Sequence, residues 1–211
     1  MKDNLESIIQ QHTQIYDDLS EEYENKAESR VRRTSDIISK VSSFFKEGGH
    51  ILDVGCGVGV TTQSLLERGF QVTAVDIAPK MLAFTKKRNP KATCVLGDFL
   101  TLNFDSKFDG ILDFAFLHLF PKDIAMGILK KNNEILNTDG IIFIGTTYSE
   151  QGHEGWEEKK DYDKPFERYR KHWEKEELEN ALKETRFSIL ETSFNTDHFN
   201  KKWINIIAKK Q

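Results

Sequence analysis

The stretch Asp53-Val54-Gly55-Cys56-Gly57-Val58-Gly59 is the part of this chain best suited to hold a small ligand. Glycines at three alternating positions let a backbone turn sharply and approach a ligand closely. The helix that follows offers N–H groups with no partner inside the helix. The pattern is GxGxG. The dinucleotide fingerprint GxGxxG, counted from Gly55, would place its third glycine at position 60, which is Val60. A carboxylate at Asp53 would also oppose a pyrophosphate, whereas a ligand carrying positive charge tolerates it.

Two further groups have the means to do chemistry. His118 lies five residues after Asp113, in the turn before a helix that begins near 122, and histidine is the side chain suited to move a proton near neutrality. The alternative is a histidine that caps or packs below the site. Residues 148–172 combine two glycines, Pro165, many charges and the aromatics Trp156, Tyr162, Phe166 and Tyr169, with His153, Arg168, His172 and Trp173 alongside. Aromatic side chains are costly to leave in water, so this segment is expected to cover something. Arg168 would pair with an acidic group on an acceptor or make a surface ion pair among the glutamates. The six histidines, at 12, 50, 118, 153, 172 and 198, show no HxxxH spacing, the cysteines show no CxxC, and His153 with its neighbouring carboxylates makes no site on spacing alone. No metal is therefore expected.

The elements that must position these groups alternate. Candidate strands are 51–55, 71–76, 93–97, 109–114, 140–147, 187–195 and 203–209, with helices near 59–68, 79–88, 122–137 and 174–184. Pro79 and Pro121 stand at two helix starts, where a missing N–H does no harm. This rhythm predicts βαβ units and a mainly parallel sheet with helices on both faces. Residues 196–202 are too few for a crossover helix, so the last two strands are expected to pair antiparallel. Residues 4–46 read as one helix, ended by Gly48-Gly49. Residues 148–172 have no clean periodicity and read as a long loop of the kind that forms lids.

The 211 residues suit one domain. With 38% hydrophobic and 30% charged residues and a net charge of −4, the composition is that of a globular protein without the basic bias of a nucleic-acid binder. Lys86-Lys87-Arg88 reads as a solvated helix face. The longest mostly apolar run, Ile111 to Phe120, holds Asp113 and His118 and is too short to span a bilayer. MKDNLESIIQ has no apolar core of signal-peptide length, and Cys56 and Cys94 read as buried thiols of a reducing compartment. A cytoplasmic monomer or homodimer is expected, with no nucleic acid or membrane partner.

DVGCGVG, followed by an acidic residue closing the second strand, resembles the class I S-adenosylmethionine (SAM)-dependent methyltransferases, and the order of elements agrees from residue 36 to 211. The resemblance implies an α/β fold with a seven-stranded doubly wound sheet of order 3-2-1-4-5-7-6, the last strand antiparallel, and SAM as cofactor with S-adenosylhomocysteine as product. It implies that the loop from Asp53 through Gly55, Cys56, Gly57 and Gly59 holds the cofactor. Asp76 would take both ribose hydroxyls, as an acceptor-only carboxylate can, and Ile77 would pack on the adenine. Asp98 would accept from the adenine amino group, Phe99 would offer its backbone N–H to the ring, and Asp113 would bring its backbone to the methionine part. For each aspartate the alternative is a helix cap or turn residue. Tyr16 and Tyr23, in IYDDLSEEYENKAESR, look like a pattern that precedes the first strand in many relatives, where a tyrosine or arginine such as Arg30 touches the methionine end; the alternative is a capping helix with its tyrosines on the core. The family often builds its acceptor pocket between the fifth strand and the next helix, which points to Trp156, Arg168, Tyr169 and His172.

The domain is therefore expected to run over 1–211, with 1–47 as a helical cap and 148–173 as a substrate-facing insertion. Residues 113–116 read DFAF rather than the NPPY-like tetrapeptide of base and glutamine N-methylating enzymes. The expected activity is methyl transfer to an oxygen or nitrogen of a small molecule. A protein or peptide acceptor, other chemistry on the same cofactor, a non-catalytic SAM-binding module and an NAD-dependent oxidoreductase are the competing readings.

Overall fold

Strands with apolar residues on both faces belong in the middle of a sheet covered on both sides, and β1 (His50–Val54), β2 (Gln71–Asp76) and β4 (Phe108–Phe114) are of this kind. In the computed structural model, which describes residues 5–159, 165–197 and 199–211, they sit side by side at the centre of a seven-stranded sheet. With β3 (Thr93–Leu96), β5 (Leu136–Thr147), β8 (Phe187–Thr196) and β9 (Lys202–Lys210), the order is β3-β2-β1-β4-β5-β9-β8. β1 to β5 run parallel, and β9 is antiparallel to both β5 and β8. Two strands outside this sheet, β6 (His153–Lys159) and β7 (Phe166–His172), form a separate antiparallel hairpin. Setting that hairpin aside, the main sheet has the expected order.

Helices cover both faces. α4 (Val60–Glu67) starts after Gly59, α5 (Pro79–Arg88) starts on its proline, and α6 (Lys122–Ile135) follows Pro121. α7 (Lys175–Glu184) leads into β8. The larger core cluster joins Leu52, Ile111, Ile142 and Ile206 to Leu129 of α6, Leu182 of α7 and Ile8 of the first helix. A second cluster packs Ile38, Val41 and Leu65 on the other face, against Ile51, Leu112 and Phe143. The alternation of inward side chains between the two faces is what divides the core.

Two expectations are corrected. The N-terminal stretch is three helices rather than one: α1 (Leu5–Asp18), α2 (Ser20–Asn25) and α3 (Ala27–Ser42). The chain bends at Leu19 and Lys26, where no glycine or proline marks the break; residue 4 lies outside the described residues. Residues 148–172 are not a structureless loop. Two seven-residue strands pair from His153↔His172 to Lys159↔Phe166. Their charged and aromatic side chains obscure the two-residue alternation because both hairpin faces are partly covered. Tyr162 lies outside the described residues, as does His198 in the β8–β9 turn.

Candidate active site

The strand order reverses between β1 and β4, and open α/β sheets bind ligands in the crevice beyond the strand ends at such a point. A cleft of about 350 Å³ opens there. One wall comes from the segments after the strands: Gly55, Cys56, Gly57 and Val58 after β1, Asp76 and Ile77 at the end of β2, Gly97, Asp98 and Phe99 after β3, and Phe114, Ala115 and Phe116 after β4. The facing wall comes from His12, Tyr16, Tyr23 and Arg30 of the N-terminal helices, Lys159, Arg168 and Arg170 of the hairpin, and Trp203 with its neighbours at the β8–β9 turn.

The glycine loop needs its glycines. Gly55, Gly57 and Gly59 have φ of +67°, +57° and +78°. A Cβ on Gly55 would lie 2.8 Å from the Phe116 ring, and one on Gly59 would run into Asn89 and Thr85. Asp76 organises the loop. Its Oδ2 accepts from the Gly57 N–H at 2.8 Å and its Oδ1 from the Ala78 N–H at 2.9 Å, and burial raises its pKa. Asp76 lines the cleft, and each carboxylate oxygen can accept a further hydrogen bond, the requirement for accepting from two neighbouring hydroxyls. Asp98 borders the cleft and accepts from the Leu100 N–H at 3.0 Å, and Phe99 is buried beside it. The open backbone loop and a carboxylate with spare acceptor capacity fit a nucleoside-bearing cofactor.

Two other aspartates stand elsewhere. Asp53 is absent from the cleft lining. Its Oδ2 accepts from the hydroxyls of Thr61 at 2.7 Å and Thr62 at 2.6 Å, fastening the start of α4 to β1. Burial raises its pKa to about 6 against the opposing pull of those hydroxyls. Asp113 is fully buried below the cleft, with Oδ1 accepting from the Leu117 N–H at 3.0 Å, and burial raises it to about 7. The chain reaches the cleft one to three residues later, at Phe114, Ala115 and Phe116. Ala115 holds φ +63°, an uncommon conformation for a residue with a Cβ, and it donates its N–H to the Gly145 carbonyl at 2.8 Å.

The facing wall is rich in cations and neutral imidazoles. Arg168 and Arg170 are each 5% exposed, and both line the cleft. Arg168 Nη1 donates to the Tyr16 hydroxyl at 3.0 Å, Tyr16 stands edge-on to Tyr23 at 6.1 Å, and the Arg30 guanidinium lies 3.9 Å from the Tyr23 ring centroid. Four candidates from distant parts of the chain thus form one wall. His118 sits in the short 3₁₀ turn Leu117–Leu119, 2% exposed, against the Trp203 ring at 5.6 Å. Burial, then the charges of Arg170 and Arg168, hold its pKa well below the ordinary value. Among the described residues its Nδ1 has no hydrogen-bond partner. His12 is a second buried imidazole in the cleft, its Nε2 without a hydrogen-bond partner among the described residues and its pKa lowered to about 3 by burial and the two arginines.

Three expected acceptor residues stand outside the cleft. Trp156 and Tyr169 are cross-strand partners on the hairpin face opposite Arg168 and Arg170, and they pack edge-on at 5.8 Å against the main core. His172 shares the parity of the two arginines but lies at the end of the hairpin, its Nε2 2.8 Å from Glu157 Oε1. Conversely, His12, Arg170 and Trp203 line the cleft without having been picked from the sequence. The two-residue strand period places Arg170 beside Arg168, a signal readable only once the hairpin is known; nothing local marks His12 or Trp203.

A family model for a methyltransferase domain matches residues 51–140. An uncharacterized methyltransferase from Bacillus cereus is 30% identical over 170 residues, covering 78% of this chain and 74% of the relative. A cypemycin N-terminal methyltransferase from a Streptomyces species is 37% identical over 98 residues, 45% of this chain and 40% of that protein's length. The solved structure of the Burkholderia thailandensis 1,6-didemethyltoxoflavin-N1-methyltransferase, with 1,6-didemethyltoxoflavin and S-adenosylhomocysteine bound, superposes with a TM-score of 0.70 at 20% identity, over 92% of this chain and 87% of that one. The last likeness is one of fold. The identity to the Bacillus relative runs over most of both chains, and with it this chain belongs to the class I SAM-dependent methyltransferase family.

Proposed function

We propose that this protein methylates an oxygen or nitrogen nucleophile of a small acceptor that carries a carboxylate or similar anionic group. The observation that carries the reading is the pair of buried guanidinium groups, Arg168 and Arg170, on the cleft wall. Both guanidinium groups border the cleft, and planar guanidinium groups match a carboxylate in two-pronged fashion. Burial lowers the Arg170 pKa to about 10, with the neighbouring Arg168 charge adding to it, so Arg170 remains charged at neutral pH.

On this reading the whole chain works as one domain. Residues 1–47 cap the cleft, and 148–173 form an insertion that supplies the anion-binding wall. Asp76 takes the ribose hydroxyls, Ile77 and Phe99 flank the adenine, and Asp98 takes the adenine amino group. The Gly55–Gly59 backbone, with Cys56 at its centre, holds the amino-acid end together with Tyr16, whereas Asp53 acts through Thr61 and Thr62. The bound cofactor supplies a methyl group on a sulfonium, an electrophile whose leaving group needs no activation. What remains for the protein is alignment and exclusion of water. Arg168 and Arg170 fix the acceptor by its anionic end, Tyr23 closes the wall beside them, and His118 accepts the proton of the nucleophile. Burial and the two arginine charges keep its imidazole neutral and weaken it as a base; an acceptor anion seated against those arginines offsets their charge and restores basicity.

The test is an assay of S-adenosylhomocysteine release against a panel of small carboxylic acids, their uncharged esters and amides, and short peptides, with the product mass read for one added methyl. Carboxylates are expected to be preferred. Arg170→Gln is expected to raise their KM by about tenfold or more while leaving SAM affinity unchanged, the signature of a lost ground-state contact. Equal turnover of the uncharged analogues, with a KM insensitive to Arg170, overturns the anionic reading. A peptide acceptor is the second reading, favoured by the similarity to the cypemycin N-terminal methyltransferase, and turnover confined to the peptides would establish it.

A further inference from the structure

A second cluster lies apart from the cleft lining. His153 and His172 are cross-strand partners at one end of the β6–β7 hairpin, and Glu157 is four residues along the same strand as His153, so all three point to one face. The imidazole rings stack with centroids 4.2 Å apart and planes 15° from parallel. Glu157 Oε1 lies 2.8 Å from His172 Nε2 and 3.7 Å from His153 Nε2, and one donor atom from each of the three residues falls within 4.8 Å of the others. Gly155 stands between His153 and Glu157 on that face, and a Cβ there would meet nothing within 4 Å, so the space among the donors is open.

We propose that His153, Glu157 and His172 bind a divalent transition-metal ion of the zinc class. Two imidazole nitrogens and one carboxylate oxygen suit Zn²⁺ and its first-row neighbours, whereas Ca²⁺ and Mg²⁺ take oxygen ligands. An ion about 2.0–2.2 Å from each donor needs the three atoms to stand about 3–4 Å apart, and the separations of Glu157 from the two histidines, 2.8 and 3.7 Å, require shifts of a few tenths of an ångström at most. The fourth position opens to water, since the His153 side chain is 58% exposed. The outer contact is present too. Glu157 turns Oε1 to the histidines and Oε2 to Arg170, whose Nε is 3.8 Å away. A partner of this kind orients a ligating carboxylate. It also links the site to the cleft, because Arg170 lines both. Sequence spacing hides the site, since its ligands are joined by strand pairing across residues 153 to 172 rather than by a local motif.

The proposal does not rest on the acceptor reading, and it is tested on the full chain freed of metal by chelation. Titration with Zn²⁺ alone, followed by calorimetry, is expected to show one ion per chain at micromolar concentration and a raised melting temperature. His153→Ala is expected to weaken that binding about tenfold or more while leaving the circular dichroism and the metal-free melting temperature unchanged, since His153 is the most exposed of the three. His172→Ala and Glu157→Gln are expected to do the same or more. Zn²⁺ affinity that is unchanged in His153→Ala, or the lack of a saturable site at micromolar Zn²⁺, overturns the proposal.

Discussion

Asp113 is the residue at which burial has its clearest price. Its folded pKa of about 7 lies above the roughly 4 of an unfolded carboxyl, so the folded protein holds a proton that the unfolded chain releases between those values. Stability contributed by Asp113 is therefore complete below about pH 4 and declines as pH rises toward 7. Asp113→Asn removes that decline. Chemical denaturation at several pH values is expected to show the variant gaining on the parent by about 1.4 kcal/mol per pH unit across this window, on the order of 4 kcal/mol in all. Histidines act in the opposite sense. His12, lowered to about 3, and His118, held well below its ordinary value, are neutral when folded at neutral pH, so the stability they permit is present above the unfolded value of about 6.5 and lost as pH falls below it. The same depression bears on activity: kcat/KM is expected to show no His118 limb between pH 6 and 7. His118→Asn, which keeps a polar group in the turn, is expected to lower kcat by roughly 10²-fold or more if the imidazole takes the proton, and an unchanged kcat would assign it to packing against Trp203. At Asp76, replacement by Ala removes the acceptor that holds the Gly57 and Ala78 N–H groups. Calorimetry is expected to register a loss of SAM affinity of about tenfold or more, the cost of two charge-assisted hydrogen bonds.

At the scale of elements, the turn from β1 into α4 is the least tolerant of change. Gly59 needs a left-handed backbone and has Asn89 and Thr85 where a side chain would go. Gly59→Ala is expected to cost about 1–2 kcal/mol for the backbone conformation alone, with the collision added, and to abolish SAM binding before it unfolds the domain; thermal melts with and without S-adenosylhomocysteine check both. This turn was legible in the sequence because its chemistry is local: glycines at fixed spacing after an apolar run. The hairpin was not legible. Its strands carry Arg168, Arg170 and Lys171 at buried positions and Glu154, Glu157 and Glu158 opposite, so no apolar alternation marks them. What holds it is tertiary: Trp156 and Tyr169 on the core, Lys171 paired with Glu177 of α7 at 3.0 Å, and Arg168 bonded to Tyr16 of α1.

Across the whole molecule, the cleft is closed by pieces remote in sequence, from His12 to Trp203. A ligand that fills it tightens all of them at once. At a concentration about 100 times its Kd, S-adenosylhomocysteine is expected to add roughly 2.7 kcal/mol of stability, a rise of about 5–10 °C in Tm for a chain of this length. Hydrogen exchange should slow in α1–α3 and around residue 203 as well as in the glycine loop. Slowing confined to the loop would remove the N-terminal helices from the site. Among the described residues no helix is long and apolar enough to cross a membrane.

By itself the sequence marked the strands and helices of a mainly parallel sheet and its ligand-binding turn, because each depends on short-range signals: apolar runs of strand length, proline and glycine at helix ends, and a glycine loop followed one strand later by Asp76; the strand order came from the family resemblance. Tertiary structure alone decided the other wall. Whether Asp113 faces the cleft or the core, whether Arg168 is a surface charge or a buried one, and whether His153 and His172 ever meet are set by strand parity and by packing between elements as remote in sequence as α1 and β9. No local pattern carries that information, since burial and pairing are properties of the fold rather than of any window of the chain.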